Sequence, residues 1–244
     1  MQSLYAFKGN ANDDFSKDEK FLMHSLESML DLYFSILALL TELHKKSKRY
    51  NENLQKKLLT NEADKTQNTR FEDNLLLNAI SGNTSLQNVI NSRKLNFWDL
   101  DFEYVDILFK AIRKSKLYDD YVNNTEINLN NDKQFIIEVY TQIIAPNDKL
   151  FDYFEDKKLT WVDDFPVVNT VLIKILKKIK LTSPESKLIP NLYKDEDDKT
   201  FALDLFRKTL LNTSNFTEEI SKKTTNWDSD RLANLDGLLL KMAL

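Results

Sequence analysis

The chain has 244 residues, no cysteine, only three glycines and four prolines, and a formal net charge of -4. The lack of cysteine excludes disulfides, thiolate metal sites and a cysteine nucleophile. The scarcity of glycine and proline argues against sheets with tight turns, and the acidic balance argues against a nucleic-acid partner unless the basic part is local or missing. No apolar run reaches membrane-spanning length and no signal peptide is recognisable, so we expect a cytoplasmic, all-α protein that does not enter a membrane.

The first predicted domain, residues 1–66, is helical and lacks the pattern found in the rest of the chain. Residues 1–7 are predicted to form the last part of an amphipathic helix, and residues 9–14 (GNANDD) are predicted to form a turn. Residues 17–59 are predicted to form one very long helix or two, because apolar residues recur at helical spacing in the first half. A polar linker is predicted at residues 60–69.

The remainder contains one pattern three times. Each tryptophan is followed three residues later by an aspartate, in the pairs Trp98 and Asp101, Trp161 and Asp164, and Trp227 and Asp230. Phe71, Phe135 and Phe201 stand at nearly the same distance upstream of the three tryptophans, and apolar residues recur at matching offsets in between. These offsets predict two helices before each tryptophan and a third after it. The predicted three-helix units are residues 67–128, 129–190 and 191–244.

Each residue of the repeated Trp-x-x-Asp pair has a predicted structural role. The aspartate is predicted to N-cap the third helix of its unit by accepting a hydrogen bond from an unpaired backbone amide. The tryptophan is predicted to fill the junction between the second and third helices, where buried aromatic residues are common. The alternative is a surface platform on which RNA bases stack. Asn83, Asn147 and Asn212 fall between the first and second helices, where turn residues belong.

No set of residues predicts catalysis. The DEDD stretch at residues 195–198 has the composition of a magnesium site, but it directly precedes a predicted helix, where carboxylates interact favourably with the helix dipole. His24 and His44 are too far apart on the long helix to share a metal ion, and we interpret both as surface or boundary residues. There is no glycine-rich phosphate loop and no credible nucleophile and base. We therefore expect no enzyme, no metal, no cofactor and no small-molecule substrate.

Two basic stretches lie at the predicted C-terminal ends of helices. The first comprises Lys45, Lys46, Lys48, Arg49, Lys56 and Lys57, and the second comprises Lys174, Lys177, Lys178 and Lys180. Cations at these ends interact favourably with the helix dipole, so a solvated face explains both stretches. The alternative is that either stretch faces RNA.

The two ends of the chain carry motifs of a known family. The last unit contains NWDSDRLANLDGLLLKMAL, and the chain begins with Gln2, Ser3, Leu4 and Tyr5. The C-terminal pattern resembles that of the NusB transcription antitermination factors, and the N-terminal one resembles their Q-x-L-Y motif. The matching C-terminal residues are Asn226, Trp227, Asp230, Arg231, Leu232, Asp236, Leu239, Lys241 and Ala243. The long segment between the motifs is similar to the helical insertion of the long Bacteroidetes members.

The resemblance implies a NusB-like helical bundle with an inserted helical region. From the spacing, and not from the family, we infer that this region contains the first two of the repeated three-helix units. It implies a function in transcription antitermination during ribosomal RNA synthesis, through binding of boxA-type RNA together with ribosomal protein NusE, in a complex with RNA polymerase. The implied RNA-binding residues are Tyr5 and Gln2. The alternative for Tyr5 is a place in the core beside Leu4.

The resemblance also leaves differences and alternatives open. Family members carry an arginine-rich segment before Q-x-L-Y and further helices after the C-terminal motif, which implies that this sequence is truncated at both ends. Gly237 stands where the family usually has arginine. One alternative is the NusB-like RNA-binding domain of a ribosomal RNA cytosine methyltransferase. Another is a helical protein-interaction scaffold that does not bind RNA.

Overall fold

The computed structural model of the protein describes residues 1–9, 15–58, 69–224 and 233–244. Within these ranges the chain forms twelve α-helices and no strand, which confirms the predicted all-α fold. The helices are α1 (Gln2–Gly9), α2 (Phe15–Leu58), α3 (Leu75–Ser81), α4 (Thr84–Ser92), α5 (Phe102–Arg113), α6 (Lys116–Val122), α7 (Leu129–Val139), α8 (Asp148–Lys157), α9 (Trp161–Lys178), α10 (Glu196–Leu211), α11 (Thr213–Lys223) and α12 (Asn234–Ala243).

The chain divides into two compact units. The terminal unit comprises residues 1–27 and 191–244, and the central unit comprises residues 28–190. The helix α2 contributes residues to both. It is one continuous helix of 44 residues, which settles the choice between one long helix and two. No glycine or proline interrupts this stretch, so nothing in it forces a kink or a stop.

The described helices α3–α6 lie within the first predicted three-helix unit, α7–α9 within the second and α10–α12 within the third. Two of the phenylalanines that defined the repeat do not lie on the buried face of the first helix of their three-helix unit, where the offsets predict them. Phe71 is buried but lies in a turn before α3, because Asn74 caps that helix by accepting a hydrogen bond from the Leu77 amide. Phe201 lies in α10, where it is 66% exposed. The helix α6 was not predicted.

The central unit has an extensive core built around α2. The segment from Leu32 to Leu43 supplies a nearly continuous set of buried apolar side chains, and α3–α9 pack their apolar faces against it. A helix that is apolar on most sides is expected where neighbours surround it. The core of the terminal unit is much smaller. Among its described residues, Leu4, Phe206 and Leu238 form the buried cluster, which brings together α1, α10 and α12.

Candidate functional site

The first helix places Tyr5 on the surface of the terminal unit. Leu4 is buried against Phe206 and Leu238, whereas Tyr5 is 51% exposed. Successive residues of an α-helix point about 100° apart, so a buried Leu4 turns its neighbour outward. The alternative that placed Tyr5 in the core is therefore wrong. Gln2 is also exposed and lies one turn before Tyr5, on the same side of α1.

The C-terminal motif is described only in part. Trp227, Asp230 and Arg231 lie outside the described residues. Asp236 is exposed in the first turn of α12, where a carboxylate interacts favourably with the positive end of the helix dipole. Two residues further on, Leu238 is buried, and its helix contacts α1. The described part of the motif therefore belongs to the same packed cluster as the helix that carries Tyr5 and Gln2.

Trp98 is enclosed in the central unit. Its side chain is 1% exposed and lies in a single 3₁₀ turn, Phe97–Asp99, between α4 and α5. The indole Nε1–H donates to the backbone oxygen of Ser35 on α2 at 2.9 Å. The ring also packs against Tyr153 and Phe154, with centroids 5.2 and 5.9 Å away. Trp98 thus fills a helix junction, and neither face of the ring is open to a base.

Trp161 occupies the corresponding place in the next three-helix unit. It is 4% exposed, begins α9, and contacts Phe154 edge-to-face at 5.7 Å. Its Nε1–H also donates to α2, to the backbone oxygen of Ser28 at 2.9 Å and to the hydroxyl of the same residue at 2.8 Å. Both described tryptophans therefore attach the start of a third helix to α2, and the base-stacking alternative does not apply to either.

The two described aspartates of the repeat do not cap their helices as predicted. Asp101 stands at the N-cap position of α5, but its side chain makes no capping hydrogen bond. Its carboxylate instead accepts from the Tyr153 hydroxyl at 2.6 Å and pairs with the Lys157 ammonium at 3.0 Å. The Tyr153 hydrogen bond, followed by the Lys157 charge, holds the pKa of Asp101 below its usual value. Asp101 therefore links α5 to α8.

Asp164 lies inside the first turn of α9, because that helix begins three residues earlier at Trp161 with Thr160 as its N-cap residue. Its carboxyl is half-buried next to the carboxylate of Asp163. Burial, followed by the nearby charge of Asp163, raises the pKa of Asp164 to about 6. The prediction that Asp164 caps the third helix is wrong, because the indole of Trp161 is drawn into the core and the helix starts with it.

The histidines differ in position. His24 is exposed on α2, as expected, but His44 is 1% exposed, so its assignment to the surface or boundary is wrong. Its Nε2 is 2.7 Å from the backbone oxygen of Glu72, which only accepts, so Nε2 carries the proton. Its Nδ1 then accepts from the Ser81 hydroxyl at 2.8 Å. Burial lowers the pKa of His44 below 6.5, and His44 joins α2 to α3 as a neutral ring.

The DEDD stretch behaves as predicted. Asp195 is the N-cap of α10 and accepts from the Asp198 amide at 3.2 Å, while the following carboxylates lie in the first turn. Within the described ranges, no group of three or more histidine and acidic residues is arranged to hold a metal ion. Likewise, no helix among the described residues is both long and apolar enough to cross a bilayer.

The basic stretches have different surroundings. Lys174, Lys177, Lys178 and Lys180 are exposed at the end of α9. The Lys133 ammonium lies close by and donates to the backbone oxygens of Lys177 and Ile179 at 3.0 and 3.2 Å. Lys133 therefore satisfies carbonyls at the C-terminal end of α9, where a cation interacts favourably with the helix dipole. From the stretch on α2, Lys46 lines a groove together with Lys110, Arg113 and Lys114 at the end of α5, an arrangement that the sequence did not predict.

Sequence reasoning also missed a buried polar network in the central unit. Arg70 pairs with Asp132 at 2.6 Å, and both side chains are buried. The Asp132 carboxylate also accepts from the Tyr121 hydroxyl at 2.9 Å and from the Leu75 amide at 2.7 Å. Asp132 lies in the first turn of α7. Its position one turn after Asn128, which caps α7, gave no signal that it reaches the start of α3.

Comparisons with protein-family models, with curated protein sequences and with solved structures gave no match for this chain.

Proposed function

We propose that this protein acts in transcription antitermination in the manner of a NusB factor, by binding and not by catalysis. It binds boxA-type RNA together with ribosomal protein NusE, within the antitermination complex of RNA polymerase in the cytoplasm. The proposal continues the resemblance carried by Q-x-L-Y at the start of the chain and by the Trp-x-x-Asp-Arg motif at the end.

One observation supports the proposal most strongly. The two matching segments stand at opposite ends of the sequence, yet α1 and α12 pack together in the terminal unit through Leu4 and Leu238. A resemblance confined to two short motifs gains support when the described parts of both motifs belong to one folded body. The same packing leaves Tyr5 and Gln2 exposed, as an RNA contact requires.

The chemistry of α1 suits a base contact. A half-exposed tyrosine on a helix anchored by Leu4 offers an accessible ring, and stacking of a base on such a ring contributes about 1–3 kcal/mol. The amide of Gln2 on the same side of the helix is able both to donate and to accept hydrogen bonds with a base edge. Sequence preference would therefore reside in the terminal unit.

The test measures fluorescence anisotropy of labelled boxA RNA and of a scrambled RNA, with the full chain and NusE present. We expect tighter binding of boxA RNA, and we expect Tyr5→Ala to weaken that binding roughly 5- to 100-fold through loss of the stack. Phe21→Ala is the matched control, because Phe21 is another exposed aromatic residue of the terminal unit. Equal binding of boxA and scrambled RNA by the unaltered chain would contradict the proposal.

A further inference from the structure

The end of α2 and the end of α5 enclose a groove of about 390 Å³ in the central unit. Its walls include Lys46, Tyr50, Phe109, Lys110, Arg113 and Lys114. The groove joins one of the two basic stretches of the sequence to a second set of cations that sequence analysis did not single out. This basic groove belongs to the central unit, whereas Tyr5 belongs to the terminal unit.

The charge of the basic groove is opposite in sign to that of the whole chain. Asp106 is the one carboxylate among its lining residues, and it pairs with the Lys46 ammonium at 2.6 Å. Among the described residues, no carboxylate pairs with Lys110, Arg113 or Lys114. Lys110 lies one turn before the other two on α5, so the three cations share one side of the helix. A local excess of positive charge on an acidic protein favours an anionic partner.

Arg113 is held in place by aromatic rings. Its guanidinium lies over the ring of Tyr50, 4.0 Å from the centroid, with Tyr118 and Phe109 at 5.8 and 6.0 Å. Within the described residues, its buried Nε has no hydrogen-bond partner. A guanidinium fixed in this way loses little conformational freedom when it binds, and its planar fork matches the oxygens of a phosphate.

The rings of the basic groove are not placed to stack with bases. Phe109 is buried, and the ring of Tyr50 is covered by the Arg113 guanidinium. The basic groove therefore offers ionic contacts, which suit phosphates and not bases. Phosphate contacts strengthen binding and fix orientation without reading sequence.

We propose that the basic groove binds the phosphate backbone of RNA, as a second contact site in the central unit. The choice of RNA, and not another polyanion, rests on the proposed function. The basic groove supplies affinity that does not depend on sequence, while sequence preference belongs to the terminal unit. Lys110 and Lys114 neutralise phosphates, and Arg113 forms the fixed hydrogen-bonding fork.

The test compares Lys110→Gln/Lys114→Gln with the unaltered full chain, using fluorescein-labelled boxA RNA and scrambled RNA of equal length over a salt series. Both lysines are exposed, so the variant is expected to fold normally. We expect it to bind both RNAs about tenfold more weakly. We also expect the slope of log affinity against log salt to become shallower by about 1.4, since each phosphate contact to a single strand contributes about 0.7.

Lys149→Gln/Lys187→Gln is the matched control, because it removes two exposed lysines of the central unit that do not line the basic groove. If the two double variants have equal affinities and equal salt slopes, the inference is overturned. If the unaltered chain does not distinguish boxA from scrambled RNA, but the groove variant alone weakens binding of both, the proposed function fails and the basic groove stands.

Discussion

His44 is a titratable residue in the core, and its neutral ring is required by the bonds it makes. Nε2–H donates to a carbonyl and Nδ1 accepts from a hydroxyl, so a second ring proton would displace the Ser81 contact. Burial is the main cause of its lowered pKa; the Lys48 charge lowers it further, while the Glu72 hydrogen bond and the charges of Glu72 and Asp73 oppose the shift. The ring therefore contributes most to stability when it is neutral.

We expect this contribution to be lost as pH falls below 6.5. The unfolded chain takes up the proton first, near its ordinary pKa, so the free energy of unfolding decreases from there down to the lower pKa of the folded state. Chemical denaturation of the unaltered chain and of His44→Gln, at several pH values between 8 and 5, would measure the effect as a difference in the free energy of unfolding. His44→Gln should lack this component and cost roughly 1–3 kcal/mol at neutral pH through lost buried hydrogen bonds.

The matched control is His24→Gln, because His24 is exposed on the same helix. It should keep the pH dependence of the unaltered chain. Asp164, whose pKa is raised to about 6, acts in the opposite direction, since its ionisation on raising pH disfavours the folded state. Only the difference between variants therefore isolates His44. The same slope in His44→Gln and the unaltered chain would contradict the assignment.

For single residues, the sequence indicates which residue types will be buried or will form polar contacts, but it does not indicate their partners. The Trp-x-x-Asp pairs are visible as a repeat, and burial of an aromatic residue is a sound expectation for a helix junction. The hydrogen bond and the ion pair of Asp101 depend on Tyr153 and Lys157, which belong to the next three-helix unit. No local pattern encodes them, so a capping role was the natural and wrong prediction. Arg113 escaped notice for the same reason, since Tyr50 is far away in sequence.

The helices themselves begin where short-range chemistry sets them. Asn83 and Asn147 occupy corresponding N-cap positions, and each side chain accepts from the amide three residues later. In the third unit, Asn212 is also the N-cap residue, but its side chain makes no capping hydrogen bond. Three asparagines that look alike in sequence therefore differ in what they contribute.

We expect Asn147→Ala to lower the free energy of unfolding by about 1 kcal/mol, because it leaves the Leu150 amide without its acceptor. Asn212→Ala should cost much less, since no first-turn amide of α11 loses a partner. Hydrogen exchange at the Leu150 amide, measured alongside chemical denaturation, reports the local effect. Equal losses in the two variants would show that the side-chain cap contributes nothing.

Element positions were largely accessible from periodicity, because apolar residues at helical spacing record which face is buried. Contacts between helices and links that are far apart in sequence could not be predicted from periodicity. The carboxylate of Glu185, in the polar link after α9, accepts from both the amide and the hydroxyl of Ser85 in the first turn of α4. These two segments are about a hundred residues apart, and no motif joins them.

On the scale of the whole chain, the two units differ in how much apolar surface they bury. The described core of the terminal unit is the cluster of Leu4, Phe206 and Leu238, whereas the core of the central unit runs through α2–α9. Free energies of local opening follow buried apolar contact. The acidic net charge, read alone, gave no hint of the basic groove, because a sum over the chain conceals local charge.

We therefore expect amide hydrogens of α10 and α12 to exchange faster than those of α3, α7 and α9. Protection of the central helices should exceed that of the terminal ones by roughly 2 kcal/mol or more in opening free energy. Hydrogen-exchange mass spectrometry on the intact chain measures both units in one sample. Uniform protection would mean that the chain opens as a single cooperative body.

The two indoles bind α2 at Ser28 and Ser35, seven residues apart. Seven residues span about 10.5 Å and nearly two full turns, so both acceptors emerge on the same side of the helix. The acceptor at position 35 is a backbone oxygen, so it is present whatever side chain stands there. Inserting or deleting one residue between the two positions would rotate one acceptor by about 100° away from its indole. The number of residues between positions 28 and 35 of α2 is therefore constrained, because both indoles need an acceptor on the same side of the helix.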